Sequence, residues 1–331
     1  MEDTHESLAP VADLDQARIE RLAQTDSRHE SVWQKYETVQ HRDPVIVRHA
    51  GMAIRAVVTE PLDTTEHLDK PAIIIKHGFM ASRPAYNDYA HNLAAAGHRV
   101  VHYGMPRTSS HGRQYHPKNI PNPLRTHSQA INGVSAMLRE RYPDSPEKHW
   151  LIGHSMGGLA TSEFISYRPD DIESAILLGS AGLARHSFRQ MALRAGEAVG
   201  KEIVPFVRDS RLELKLELGK HSLWHIGRNP LFLLREGFQA ATGDALPNLQ
   251  RASEAGVKLA AIWMAEDTFF PTHEIDQKVT DHFDAFKITW GNHLKPQEFP
   301  KFAANDALDM FDALSAMDAN RLRQKTVETI A

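Results

Sequence analysis

Residues 150–159 read Trp150-Leu151-Ile152-Gly153-His154-Ser155-Met156-Gly157-Gly158-Leu159. Three apolar residues run into Gly-x-Ser-x-Gly, and helical spacing then continues from Met156 to Ser166, so the stretch reads as strand, sharp turn, helix. So tight a turn forces its serine into a strained backbone conformation and needs glycine at its flanks to avoid clashes. Gly153, Gly157 and Gly158 meet that demand. The strain exposes the Ser155 hydroxyl and aims the Met156 N–H and the helix N-terminus at an incoming carbonyl oxygen. Ser155 is therefore read as a nucleophile.

Working outward, short apolar runs alternate with amphipathic segments. Strands are predicted at Ala72–Lys76, Arg99–Tyr103, Trp150–Gly153, Ser174–Leu178, Leu259–Met264 and Lys287–Trp290. A run such as Ala72-Ile73-Ile74-Ile75 suits a strand covered on both faces, as in a parallel sheet. Helices are predicted at Ala85–Ala96, His127–Arg141, Met156–Ser166, Pro271–Phe283 and Pro300–Ala316, and the alternation implies a doubly wound sheet with right-handed crossovers. Upstream, Val45–Arg48 and Met52–Thr59 read as a hairpin turning at Ala50-Gly51. The rhythm breaks at residues 182–255, which hold helix-like runs at Arg185–Val199, Arg211–Leu218 and Leu231–Thr242 but no strand; a structureless loop of that length is improbable. The expected organisation is an N-terminal helical extension over 1–44, a core over 45–182 and 256–331, and a helical cap over 183–255, inserted after the sixth strand. His111–His127 reads as a long ordered loop, and Met317–Ala331 as a charged helix.

A serine hydroxyl is a poor nucleophile until a histidine takes its proton. Gly291-Asn292-His293 follows the last predicted strand, which selects His293 as the base over His273 and His282 in the preceding helical segment. The acid is expected after the strand Leu259–Met264, where Asp267 stands four residues before Pro271, a helix-starting position; Glu266 beside it would point elsewhere. The loop Gly179-Ser180-Ala181-Gly182 offers no carboxylate. The chain order is Ser155, Asp267, His293, the order that a resemblance to the α/β-hydrolase family implies for nucleophile, acid and base. His77-Gly78-Phe79-Met80, after the strand Ala72–Lys76, places the Phe79 N–H as a second oxyanion donor beside that of Met156.

Across roughly residues 45–317 these motifs resemble the α/β-hydrolase superfamily, within it the capped esterases, monoacylglycerol-lipase-like enzymes and C–C bond hydrolases. The segment after Arg99–Tyr103 departs from many capped relatives: His102-Tyr103-Gly104-Met105-Pro106 stands where they carry Asp-x-x-Gly-x-Gly-x-Ser. The resemblance implies a cofactor-independent serine hydrolase acting on a small-molecule ester or acyl substrate, with C–C cleavage, thioester hydrolysis or acyl transfer as alternatives on the same residues. A non-catalytic binding module of the same fold is a further alternative. An aspartate nucleophile, as in haloalkane dehalogenases and epoxide hydrolases, is disfavoured by serine at 155.

Composition narrows the rest. The 38 basic and 42 acidic side chains leave −4, no reason to expect nucleic acid as a partner. No basic start followed by an apolar run occurs at 1–40, and no stretch approaches 18 apolar residues, so the expectation is a cytoplasmic protein without integral membrane association. With no cysteine there is no disulfide, thiol nucleophile or thiolate metal site. His221 and His225 lie four apart without the glutamate of an H-E-x-x-H site, and His111, His116 and His127 border the long loop; no metal and no cofactor are expected. Phe269, Phe270, Trp224 and Leu231–Leu234 are apolar candidates for core or pocket.

Overall fold

The computed structural model describes residues 39–42, 44–62, 69–79, 81, 83–104, 122–184, 186–210, 215, 227, 230–317 and 326–329. The readings of residues 1–38, of His111 and His116 and of His221, Trp224 and His225 fall outside them. The described strands are β1 Val39–His41, β2 Val45–His49, β3 Met52–Pro61, β4 Ile73–Lys76, β5 Val100–Tyr103, β6 His149–His154, β7 Ile172–Leu178, β8 Lys258–Met264, β9 Ala285–Thr289 and β10 Thr326–Thr329. They form one sheet in the order β1-β3-β5-β4-β6-β7-β8-β9-β10, with β2 also on β3. The first three strands join antiparallel, and every pair from β5 to β10 is parallel.

Among the described residues the α-helices are α1 Asn87–Ala95, α2 Pro123–Arg141, α3 Met156–Tyr167, α4 Phe188–Ala198, α5 Val204–Asp209, α6 Pro230–Thr242, α7 Leu246–Glu254, α8 Gln277–Thr280, α9 Lys295–Glu298 and α10 Pro300–Ala316. Strand alternation divides the apolar residues between two cores. Ile73, Ile75, Trp150, Ile152, Ile176 and Ile262 face one way, with Leu93, Ala304 and Phe311 from α1 and α10. Ile74, Leu151, Ala175, Leu177, Ala261 and Trp263 face the other, with Val134, Phe164 and Leu249 from α2, α3 and α7. A strand that must be apolar on both faces is what the uniform runs signalled.

Four local expectations are revised. Val39–His41, inside the stretch read as a helical extension, is an edge strand pairing with Thr59–Pro61, so the strand read as sixth is β7. The segment Pro271–Phe283 is a 3-10 turn at Thr272–Glu274 followed by α8; Asp276, in extended backbone, accepts the Val279 N–H at 3.0 Å and starts a new helix there. His127 lies within α2, which begins at Pro123 because Asn122 caps it by accepting the Arg125 N–H. In the C-terminal stretch Thr326–Thr329 adds a parallel edge strand to β9, where Thr-Val-Glu-Thr offers β-branched residues suited to an edge.

Between β7 and β8 the regular elements among the described residues are all helical. Helix α4 starts on a capping box, with Ser187 Oγ accepting the Gln190 N–H and Gln190 reaching back to the Ser187 N–H. It continues through a π-helical turn, Val199–Ile203, into α5.

Candidate active site

At the end of β6 the chain turns into α3 through Ser155, whose φ of 57° and ψ of −127° make it one of two non-glycine residues with positive φ among those described. A serine pays a steric cost there, so the conformation is imposed by its surroundings. Three backbone hydrogen bonds impose it: the Ser155 N–H donates to Leu178 O (3.0 Å), and its carbonyl accepts from Gly158 (2.9 Å) and Ala181 (3.1 Å). Helix α3 then passes so near the end of β4 that a Cβ at Gly157 would stand 2.2 Å from the Lys76 carbonyl oxygen. Gly78, in the loop after β4, is as tightly placed: a Cβ there would lie 2.7 Å from Ser155 Cβ. Phe79 follows directly, packing its ring toward Gly237 of α6, and Met156 is buried as the first residue of α3. Both residues read as oxyanion donors thus flank Ser155 at the carboxyl ends of the parallel strands, where ligands of open α/β sheets bind.

Asp267 and His293 are brought together from the loops after β8 and β9. His293 Nδ1 lies 2.8 Å from Asp267 Oδ2, and both side chains are buried. Asp267 Oδ1 accepts the Phe269 and Phe270 N–H groups, each at 2.9 Å, so the carboxylate has one oxygen left to orient the imidazole. Glu266 is exposed, as are His273 and, in part, His282. Burial by itself would push the His293 imidazolium down; the charge and hydrogen bond of Asp267, with the charge of Glu202, more than offset it and hold the group above its ordinary value.

Sequence reasoning missed three residues that fix His293. His154 Nε2 donates to the His293 carbonyl (2.9 Å), and its ring stands 4.6 Å from the His293 ring. Because a carbonyl can only accept, Nε2 carries the proton and Nδ1 accepts from the Tyr86 hydroxyl at 2.5 Å. Burial, with the His293 charge beside it, keeps His154 well below the ordinary histidine value, in keeping with that neutral tautomer. Glu202, from the π-helical turn, accepts the His293 N–H at 2.9 Å. His154 sat in the motif as its variable position, and nothing in the local pattern distinguished Tyr86 or Glu202 from surface residues.

Beside Phe79, α6 meets the core through a buried pair: Glu236 Oε1 lies 2.7 Å from His127 Nε2. Burial pushes His127 down, as does Lys76, against the pull of Glu236. Of the apolar candidates on α6, Phe232 and Leu233 are buried while Leu231 and Leu234 are exposed. Among the described residues no group of three His, Asp or Glu is placed to hold a metal ion, and no helix is long and apolar enough to cross a membrane.

Residues 69–223 match a family model described as serine aminopeptidase, S33. A comparison with curated sequences returns no match. Among solved structures, a membrane phospholipase A, described as a bacterial virulence factor, aligns at TM-score 0.62 and 16% identity over 93% of this chain and 100% of its own. A thermophilic esterase from Thermogutta terrifontis aligns at TM-score 0.57 and 15% identity over 82% of this chain and 99% of its own. The thioesterase domain of a curacin biosynthetic pathway aligns at TM-score 0.53 and 14% identity over 80% and 99%. At these identities the likeness is one of fold. The chain has the α/β-hydrolase fold, and residues 69–223 are similar to the serine aminopeptidase family of that fold.

Proposed function

We propose that the protein hydrolyses a carboxylic ester of a small or lipid-like molecule through an acyl-enzyme on Ser155. The observation that carries this reading is the positive-φ backbone of Ser155 between β6 and α3, a strained turn that stands at the carboxyl ends of the parallel strands, where ligands of open α/β sheets bind. On this reading His293 takes the hydroxyl proton as Ser155 Oγ attacks the acyl carbon. Asp267 holds the imidazole with Nδ1 protonated, so that Nε2 is free to act as base. The N–H groups of Met156 and Phe79 stabilise the oxyanion, commonly the largest electrostatic contribution. His293 returns the proton to the leaving alcohol, and water, activated the same way, releases the acid. No step calls for a cofactor.

Phospholipases, esterases and thioesterases share attack on an acyl carbon, so the leaving group is a matter for a panel of short and long acyl esters, thioesters and a diketone. Ser155→Ala is expected to lower kcat on the preferred ester by on the order of a million-fold and to abolish labelling by a fluorophosphonate. Retention of esterase activity in Ser155→Ala would end the reading. Absence of labelling in the unaltered protein would favour a binding module.

A further inference from the structure

Residues Phe188–Asp209 bury few side chains: Met191 and Ala198 of the apolar ones, and one carboxylate, Glu202. Glu202 is 3% exposed. Its neighbour Lys201 turns outward to Glu197, so the π-helical turn sorts the two charges to opposite sides. The Glu202 carboxylate spans two loops that are distant in sequence. Oε1 accepts the N–H of Thr268, the residue after Asp267, at 3.0 Å, and Oε2 accepts the N–H of His293 at 2.9 Å. Only a carboxylate offers an acceptor on both tips; glutamine would set a donor against one of the two amides. Burial holds the Glu202 carboxyl above its ordinary value; the hydrogen bond from Thr268 and the charge of His293 favour its ionised form, and the charge of Asp267 opposes it. Around His293 itself stand Asp267 from the loop after β8, Glu202 from the inserted helices, and neutral His154 from β6.

We infer that Glu202 is a positioning residue: it holds the Asp267 and His293 loops in one register and sets a second negative charge behind the His293 imidazolium. The segment between β7 and β8 thereby touches both loops that carry Asp267 and His293. The inference rests on the proposed roles of Ser155 and His293. As His293 takes the serine proton it gains charge, and Glu202 stabilises that state from the backbone side while Asp267 does so from the ring.

The test compares the full-length protein with Glu202→Gln and Glu202→Asp on the ester used for Ser155→Ala, with active sites counted by fluorophosphonate titration. Glu202→Gln is expected to lower kcat per titrated site by about 10- to 100-fold with little change in KM, as a small misplacement of reacting groups does. It should also move the rising limb of kcat/KM to lower pH by about half a unit or more, since losing a nearby negative charge makes the imidazolium easier to deprotonate. Glu202→Asp keeps the charge but is too short to reach both amides, so its limb should stay in place while kcat falls several-fold. Unchanged kcat per site and an unmoved limb in Glu202→Gln would reduce Glu202 to a structural contact, whatever happens to its melting temperature. If Glu202→Gln does not fold, unchanged kcat per site in Glu202→Asp overturns the inference instead. An active Ser155→Ala would sink the underlying reading, whereas an inactive Ser155→Ala beside an unaffected Glu202→Gln sinks only this inference.

Discussion

His293 is gripped on every polar atom that the proposed reaction does not use. Its N–H goes to Glu202, its carbonyl receives the His154 ring, and Nδ1 faces Asp267, which leaves Nε2 for the proton of Ser155. Asp267 is the grip that decides tautomer and charge together. Asp267→Asn offers its amide where the imidazole needs an acceptor, so kcat should fall by about 10³- to 10⁴-fold. It also removes a negative charge that raises His293, so the rising limb of kcat/KM should move to lower pH. An unchanged pH profile with a modest rate loss would show that Asp267 does not face the titrating base. Asp267 and His293 were legible because strand ends locate them: each follows an apolar run at a fixed offset. Tyr86, His154 and Glu202 were not, because their partners lie 68, 139 and 91 residues away in sequence.

The strand–helix element around Ser155 works only while β6, α3 and the end of β4 stay in contact. Gly157 is the point of closest approach, with the Lys76 and His77 carbonyl oxygens 2.2 and 2.7 Å from where a Cβ would stand. These are backbone atoms that cannot rotate away, so Gly157→Ala must push α3 off the strand. A loss of about 3 kcal/mol is expected, read as a lower urea midpoint with unchanged m-value; a change near zero would mean that α3 does not touch β4 as described. The element was legible for the same reason: glycine spacing and a period change from strand to helix are local signals. Where local signals compete the reading slipped. Helical periodicity carried Pro271–Phe283 past Asp276, whose side chain caps a fresh helix start, and charge in the C-terminal stretch masked the short edge strand Thr326–Thr329.

At the scale of the molecule, two cores on opposite faces of one sheet carry the stability. Phe311 of α10 is fully buried and stacks on Trp150 of β6, ring centroids 4.3 Å apart. Phe311→Ala opens a large cavity beneath the strand that bears Ser155, and a loss of about 3–5 kcal/mol is expected in chemical denaturation. A loss below 1 kcal/mol would show that α1 and α10 close over the gap.

The sequence by itself determined the inner strands of the sheet, their winding and the chain order Ser155, Asp267, His293, because period-two and helical patterns, glycine spacing and strand-end offsets are written within a few residues of one another. Only the tertiary structure decided how the segment between β7 and β8 meets the site. Helix α6 sets Glu236 against His127, and the turn before α5 drives Glu202 between the two loops that hold Asp267 and His293. Those contacts depend on where a helix lands after crossing the sheet, and on which of its charges burial will tolerate once backbone amides are there to receive it.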